Sequence, residues 1–263
     1  MTTKPDISVP AIAADQRPEP PDGFHIRAAS FQPVRAAYTR QVILERLGLD
    51  PRGRRALVVG SGRGLLAREL AHLGFAVTGL DPAASVVRLA EEATASEGLA
   101  VDYEVGDPHQ LAYADGTFDV AYYCDTLEIT DDLDRVVAEA ARVLRDQGVF
   151  LYDTVNRTAL SRLIYLGALQ SWPGTRVMPR HRYAWDRLRP PAELAATLGE
   201  HGLRNEDVRG FLPASPQRLV RATLRARRGG IDDAELAELA GMHLAPEGKR
   251  PPVTYLGFAS KRD

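Results

Sequence analysis

A chain of 263 residues, 44% hydrophobic and 26% charged, has apolar side chains enough for one large α/β domain or two small ones. Its net charge of −2 supplies no general attraction for nucleic acid, and a single cysteine, Cys124, excludes an internal disulfide and a cysteine-rich metal centre, as suits a reducing cytoplasm. The apolar stretch Leu163–Leu169 is far too short to span a bilayer, so no stable membrane insertion is expected.

Residues 1–23 hold five prolines and no basic-then-apolar signal. They read as a disordered leader to a single domain over 24–263. Phe31–Leu47 is expected as a helix, with Val34, Tyr38, Val42 and Leu49 near helical spacing. Ala56–Val59 is a short buried strand ending at Gly60, Leu65–Leu73 the next helix, and Gly74 its C-terminal stop. Ala76–Leu80 is a second strand closed by Asp81-Pro82, Ser85–Ala95 a helix, and Ala100–Val105 a third strand. Phe118–Tyr123, a helix over Asp131–Leu144, and Val149–Asp153 follow in the same alternation. Alternating strands and helices imply right-handed crossovers and a mainly parallel sheet covered on both faces. After Asn156 the pattern breaks over about 156–189 into short helix and loop, as a small cover would. Glu193–Gly202 is again helical, and Arg204–Phe211 and Val253–Ser260 are two late strands, making seven. Between them, about 217–250 reads as a helical insertion rich in arginine.

The first strand runs into Gly60-Ser61-Gly62-Arg63-Gly64. A dinucleotide fingerprint requires its third glycine one residue later, where Leu65 stands, and the lysine of a phosphate-binding loop is absent. A tight G-x-G-x-G turn instead lets backbone approach an uncharged or zwitterionic ligand part, or merely permits close helix–strand packing. Asp81, closing the second strand, is placed to accept hydrogen bonds from ribose hydroxyls. Asp107, after the third, is placed to receive an adenine amino group.

Together, VVGSGRG, TGLDPAASVVRLA, VGDPHQLAYADGTFDVAYY and RVLRDQGVFLYDTVNR resemble the class I S-adenosylmethionine (AdoMet)-dependent methyltransferases in order and spacing. One departure is Val58, where many members have an acid. The flanks add a closer resemblance to the ubiquinone-biosynthesis O-methyltransferase family. It rests on Phe31-Gln-Pro-Val-Arg-Ala-Ala-Tyr38, then Asn156-Arg157, Trp172–Thr175, Pro191–Leu194, Val208–Phe211 and Val253–Leu256. The resemblance implies a Rossmann-like α/β methyltransferase fold with AdoMet as methyl donor. It places cofactor contacts at Arg35, Gly60, Asp81 and Cys124, with Arg35 pairing the methionine carboxylate. Ser61, Gly62, Pro82 and Pro108 complete the expected cofactor set with Asp107.

The family often carries Glu-x-x-Glu-His after the fourth strand, tied to a divalent metal or to catalysis. Here the run reads Asp125-Thr-Leu-Glu128-Ile129. Two acids can hold Mg²⁺ with waters, yet the histidine is missing, so no obligatory metal is expected. The reaction implied is in-line displacement at the sulfonium methyl, driven largely by positioning. An acceptor phenol, with a pKa near ~10, benefits from a base, for which His181 in the cover and Glu128 or Asp125 are candidates. His181 packed on Trp185 is an equal alternative, and His109 is placed near adenine.

Tyr122, Tyr123, Tyr152, Tyr165, Trp172, Tyr183 and Trp185 suit a flat aromatic acceptor, or simply fill the core. Arg218, Arg221, Arg225, Arg227 and Arg228 either bind something acidic or form a solvated face balanced by the acids of 232–238. The expected enzyme is a cytoplasmic monomer or homodimer that O-methylates a small hydroxylated aromatic of specialised metabolism, with no nucleic-acid partner. The alternatives are N- or C-methylation, an RNA methyltransferase, a non-catalytic AdoMet-binding protein and, against the glycine spacing, a dehydrogenase.

Overall fold

A computed structural model of the chain describes residues 23–173 and 175–262. All of the expected leader but Gly23 lies outside the described residues. Eight strands form one sheet: β1 (Arg55–Val59), β2 (Ala76–Asp81), β3 (Asp102–Val105), β4 (Phe118–Tyr123), β5 (Leu144–Val155), β6 (Leu203–Pro213), β7 (Met242–Leu244) and β8 (Thr254–Lys261). Their spatial order is β3-β2-β1-β4-β5-β8-β6-β7. The first five pair in parallel, joined through helices α2 (Leu65–Leu73), α3 (Ala84–Ser96) and α4 (Leu133–Val143). β8 then runs antiparallel between β5 and β6, and β7 antiparallel along β6.

Burial explains the arrangement. Every residue of β4 is buried, as a continuous apolar run in a parallel strand covered on both faces must be. Successive residues feed opposite cores. Leu57, Tyr123 and Phe150 pack with Val136, Val137 and Ala140 of α4 and with Leu194 and Leu198 of α6 (Pro191–Glu200). Val58, Tyr122 and Leu151 pack on the other face with Val34, Tyr38 and Leu70. Each such side chain, fully buried, contributes roughly 1.5–3 kcal/mol.

Two features differ from the sequence expectation. The first helix, α1, runs Gly23–Arg40 and widens into π-type turns over Gln41–Arg46, beginning two turns before Phe31. Pro33 thus lies inside the helix, where proline is ordinarily costly. The extra turns are held by tertiary contacts: Ile26 and Ala29 pack against Ala222, Ala226 and Leu236 of the inserted helices α7 (Pro216–Ala226) and α8 (Asp233–Ala240). The insertion also supplies β7, an eighth strand beyond the seven expected. Three residues are too few to show an alternating pattern, and they pair with Phe211–Pro213 at the end of β6.

The segment between β5 and α6, which reads from sequence as a cover, is irregular. A short helix, α5 (Ala159–Ser161), passes into π-type turns over Arg162–Leu169, and a 3₁₀ turn spans Trp185–Arg187. Tyr165, Met178, Tyr183 and Leu188 give the segment a small core with Val155 and Val253. Arg187 and Arg189 tie it down by donating to the carbonyls of Leu127, Ile129 and Thr130.

Candidate active site

A cleft of about 700 Å³ opens at the C-terminal ends of the parallel strands and is walled by α1 and the cover, where ligands of open α/β sheets bind. Arg35, Gly60, Ser61, Gly62, Asp81, Pro82, Asp107, Pro108 and Cys124 all line it. The structure thus gathers every residue expected to contact the cofactor.

The glycine turn is shaped by backbone. Gly60, Gly62 and Gly64 have φ of +68°, +54° and +77°, a region open mainly to glycine. A Cβ on Gly60 would stand 2.3 Å from the Cys124 carbonyl oxygen, so the glycine lets β1 and β4 approach beneath the cleft. The Gly60 and Ser61 N–H groups donate to the Leu80 carbonyl at 2.9 and 3.1 Å, which brings the turn beside Asp81. There, Asp81 Oδ2 accepts from Gly62 N–H at 3.1 Å and Oδ1 from Ala83 N–H at 3.0 Å. Burial pushes the Asp81 carboxyl above its ordinary value, while these two bonds oppose the shift. Asp107 Oδ1 accepts from the His109 N–H at 2.9 Å and lies 2.6 Å from His109 Nδ1, while His109 Nε2 meets Thr130 Oγ1 at 2.7 Å.

Beyond the glycine turn lies a buried charge network. Arg35 Nη2 is 2.7 Å from both Asp125 Oδ1 and Asp153 Oδ2. Arg27 Nη2 is 2.8 Å from Asp125 Oδ1 and from Glu128 Oε1, and its Nη1 donates to the Tyr183 hydroxyl at 2.8 Å. Thr154 donates to Glu128 Oε2 at 3.1 Å. Burial raises the Asp125 carboxyl, but Arg27 and Arg35 outweigh it and hold Asp125 well below the usual carboxylate range. For Asp153, burial wins: with the negative charge of Asp125 nearby, it overcomes Arg35 and pushes the carboxyl up to about 7.

The three catalytic candidates therefore separate. Asp125 lines the cleft, with its backbone in the left-handed region at φ +48°. Glu128 is fully buried behind Arg27, away from the cleft lining. His181 is exposed and not among the cleft-lining residues, although its neighbour Arg182 is. Its backbone has φ +65°, and its carbonyl accepts from Arg187. Trp185, its expected packing partner, is 39% exposed and lies beneath the Arg162 guanidinium instead.

A divalent metal does not fit the run after β4. The Arg27 guanidinium already bridges Asp125 and Glu128, and the third position is the apolar Ile129. No cluster of three or more potential ligands occurs among the described residues.

Several cleft residues escaped the sequence reading. Phe24 and His25 precede the expected start of the first helix, and His25 Nε2 contacts Asp233 of α8 at 2.8 Å, joining the insertion to the cleft wall. Arg182 and Arg187 sit in irregular backbone that carries no periodicity. The signal for Arg27 was present: Arg27, Phe31 and Arg35 recur every four residues on one helical face. The tyrosines singled out at the strand ends, Tyr122, Tyr123 and Tyr152, are core residues, and Phe24 is the aromatic ring facing the cleft.

A family model described as a methyltransferase domain matches residues 57–152, from β1 to β5. A ubiquinone biosynthesis O-methyltransferase of Azorhizobium caulinodans is 31% identical over 201 residues, spanning 73% of this chain and 78% of that one. Its namesake in Paramagnetospirillum magneticum is 34% identical over 190 residues, 69% of this chain and 74% of that one. Among solved structures, an S-adenosylmethionine-dependent methyltransferase of Mesorhizobium loti shares the fold. Its TM-score is 0.54 at 23% identity, over 84% of this chain and 97% of that one. With a left-handed glycine turn, an acid closing β2 and another after β3 all facing one cleft, the residues fit AdoMet. The chain belongs to the class I AdoMet-dependent methyltransferases acting on small molecules, and AdoMet is its methyl donor.

Proposed function

We propose that the enzyme O-methylates a small hydroxylated aromatic acceptor. The observation that carries this reading is the 31–34% identity to ubiquinone biosynthesis O-methyltransferases over more than two thirds of each of the two chains compared. When bound, AdoMet supplies a methyl group activated by positive sulfur. The Gly60–Gly62 turn would take its amino-acid end, Asp81 its ribose hydroxyls, and Asp107 its adenine edge. Phe24 and Ile129 offer apolar surface on the cover side for a flat acceptor.

Asp125 is held ionised by two guanidinium groups, so it binds a proton weakly and suits charge placement better than proton abstraction. Its fixed negative charge, beside Arg35, would orient the reacting groups, and positioning would supply much of the rate. Glu128 and Asp153 would hold Arg27 and Arg35 in place. Arg35, already gripped by two carboxylates, would reach the cofactor as part of this network rather than as a lone cation.

Ile129 in place of histidine, the Arg27 bridge and the α7–α8 insertion favour an acceptor of specialised metabolism over a quinone precursor. A cytoplasmic location and a monomeric or homodimeric state belong to the same reading.

The test is transfer of a labelled methyl from AdoMet to catechols, hydroxybenzoates, amines and carbon acids, alongside S-adenosylhomocysteine (AdoHcy) binding. Label appearing on oxygen of an aromatic acceptor is expected; label confined to amines or carbon would move the reading to N- or C-methylation.

A further inference from the structure

Arg182 is a cleft-lining cation with no carboxylate partner among the described residues. The residue is only 8% exposed, and its Nε has no hydrogen-bond partner among the described residues. No ion pair to it occurs among the described residues. Its guanidinium stacks 3.9 Å from the centroid of the Phe24 ring and 5.6 Å from that of Tyr183. Asp81 at the end of β2 and Asp125 after β4 line the same cleft and lie within reach of its charge.

The other cover-side cations are engaged. Arg35 is gripped by Asp125 and Asp153, and Arg187 donates to the carbonyls of Ile129 and His181. A guanidinium taken out of water without a counter-ion is costly, and stacking on a phenyl ring returns only part of that cost. A bound anion would return the rest.

The chemistry of the anion follows from the surroundings. Arg182 keeps an Nε–H in its fork, matched in geometry to two coplanar oxygens. The acids Asp81, Asp107 and Asp125 line the same cleft and would repel a doubly charged phosphate more than a single carboxylate. We propose that Arg182 is the carboxylate receptor of this cleft, clamping a ligand carboxylate over the Phe24 ring.

Two sources carry that group: the methionyl end of AdoMet and an acidic aromatic acceptor. The inference rests on reading the cleft as the joint site of cofactor and acceptor. Calorimetry on the full chain distinguishes them, using wild type, Arg182→Gln and Arg182→Lys. One ligand pair is AdoHcy and its decarboxylated analogue. The other is 3,4-dihydroxybenzoate and its methyl ester, titrated with AdoHcy saturating.

Arg182→Gln is expected to weaken the carboxylate member of one pair roughly 10- to 100-fold while its uncharged partner stays within about threefold, and Arg182→Lys to recover part of the loss. A loss confined to the first pair assigns the clamp to the cofactor, and one confined to the second assigns it to the acceptor. If no Arg182→Gln effect depends on the carboxylate, or charged and uncharged partners weaken alike, the clamp is overturned and Arg182 only packs on Phe24. Wild type failing to bind AdoHcy would overturn the reading of the cleft itself.

Discussion

Around the glycine turn, polar contacts join near neighbours in sequence: Ala83 to Asp81, His109 to Asp107 and Gly62 to Asp81, at separations of 2 to 19 positions. At the other end of the cleft, Arg27 reaches Glu128 and Tyr183, and Arg35 reaches Asp153, across 101 to 156 positions. The first half is made of backbone geometry that a short stretch of chain can specify. The second is made of charges brought together by the docking of α1 and the cover, and it holds those elements in place in return. Damage to the arginine half should therefore appear mainly as lost stability, and damage to the glycine half mainly as lost ligand affinity.

The largest effect is expected at Arg27. Arg27→Ala strands Glu128, which is fully buried, and should cost about 3–5 kcal/mol of unfolding free energy, read from denaturant titration. A cost near zero would mean that the network does not hold the cover. Gly60→Ala pushes a Cβ to 2.3 Å from the Cys124 carbonyl at a φ of +68°. It should cost about 1–3 kcal/mol of stability, and AdoHcy titration should show a loss of at least about tenfold in affinity.

Asp81→Ala sharpens the contrast further. AdoHcy affinity should fall by roughly 10- to 100-fold, with stability changing by only about 1 kcal/mol. Equal losses in both would erase the distinction between the halves.

Asp153 ties the arginine half to pH. Its carboxyl is pushed from 3.8 up to about 7 by burial in the folded chain. The folded state thus holds a proton that the unfolded state has released, and the stabilising contribution is full below 3.8 and lost as pH rises through about 7. Asp125, held low, acts oppositely: its contribution is present above 3.8 and lost as pH falls through its lowered folded value. Denaturant midpoints of Asp153→Asn should lack the wild-type decline between about pH 4 and pH 7. The smallest effect belongs to His181→Asn, at an exposed left-handed position that asparagine accepts. Turnover should stay within about twofold of wild type, and a large fall would return His181 to the site.

The glycine half was legible without the fold. Gly60, Gly62, Asp81 and Asp107 each close a strand or open the following turn, so their positions follow from the strands that end beside them. Arg27 was legible only through the four-residue spacing it shares with Phe31 and Arg35, while Phe24 and Arg182 were hidden. The expected helix began at Phe31, which left Phe24 outside it. Arg182 lies in irregular backbone whose course is set by Tyr165, Met178 and Tyr183 packing against Val155 and Val253. The eighth strand depends on an edge of β6 that only the assembled sheet presents.

By itself the amino-acid order determined the alternating strands and helices, the parallel core of the sheet and the turn that lets backbone approach a cofactor, because these rest on periodicity and on φ angles that glycine alone adopts easily. Only the tertiary structure decided which of the two carboxylates after β4 faces the cleft. It also placed Arg27 between Asp125 and Glu128, and left Arg182 buried without a counter-ion among the described residues. Those outcomes depend on burial and charge shared by residues far apart in the chain, such as Arg27 and Glu128, and such fields exist only once the chain has packed.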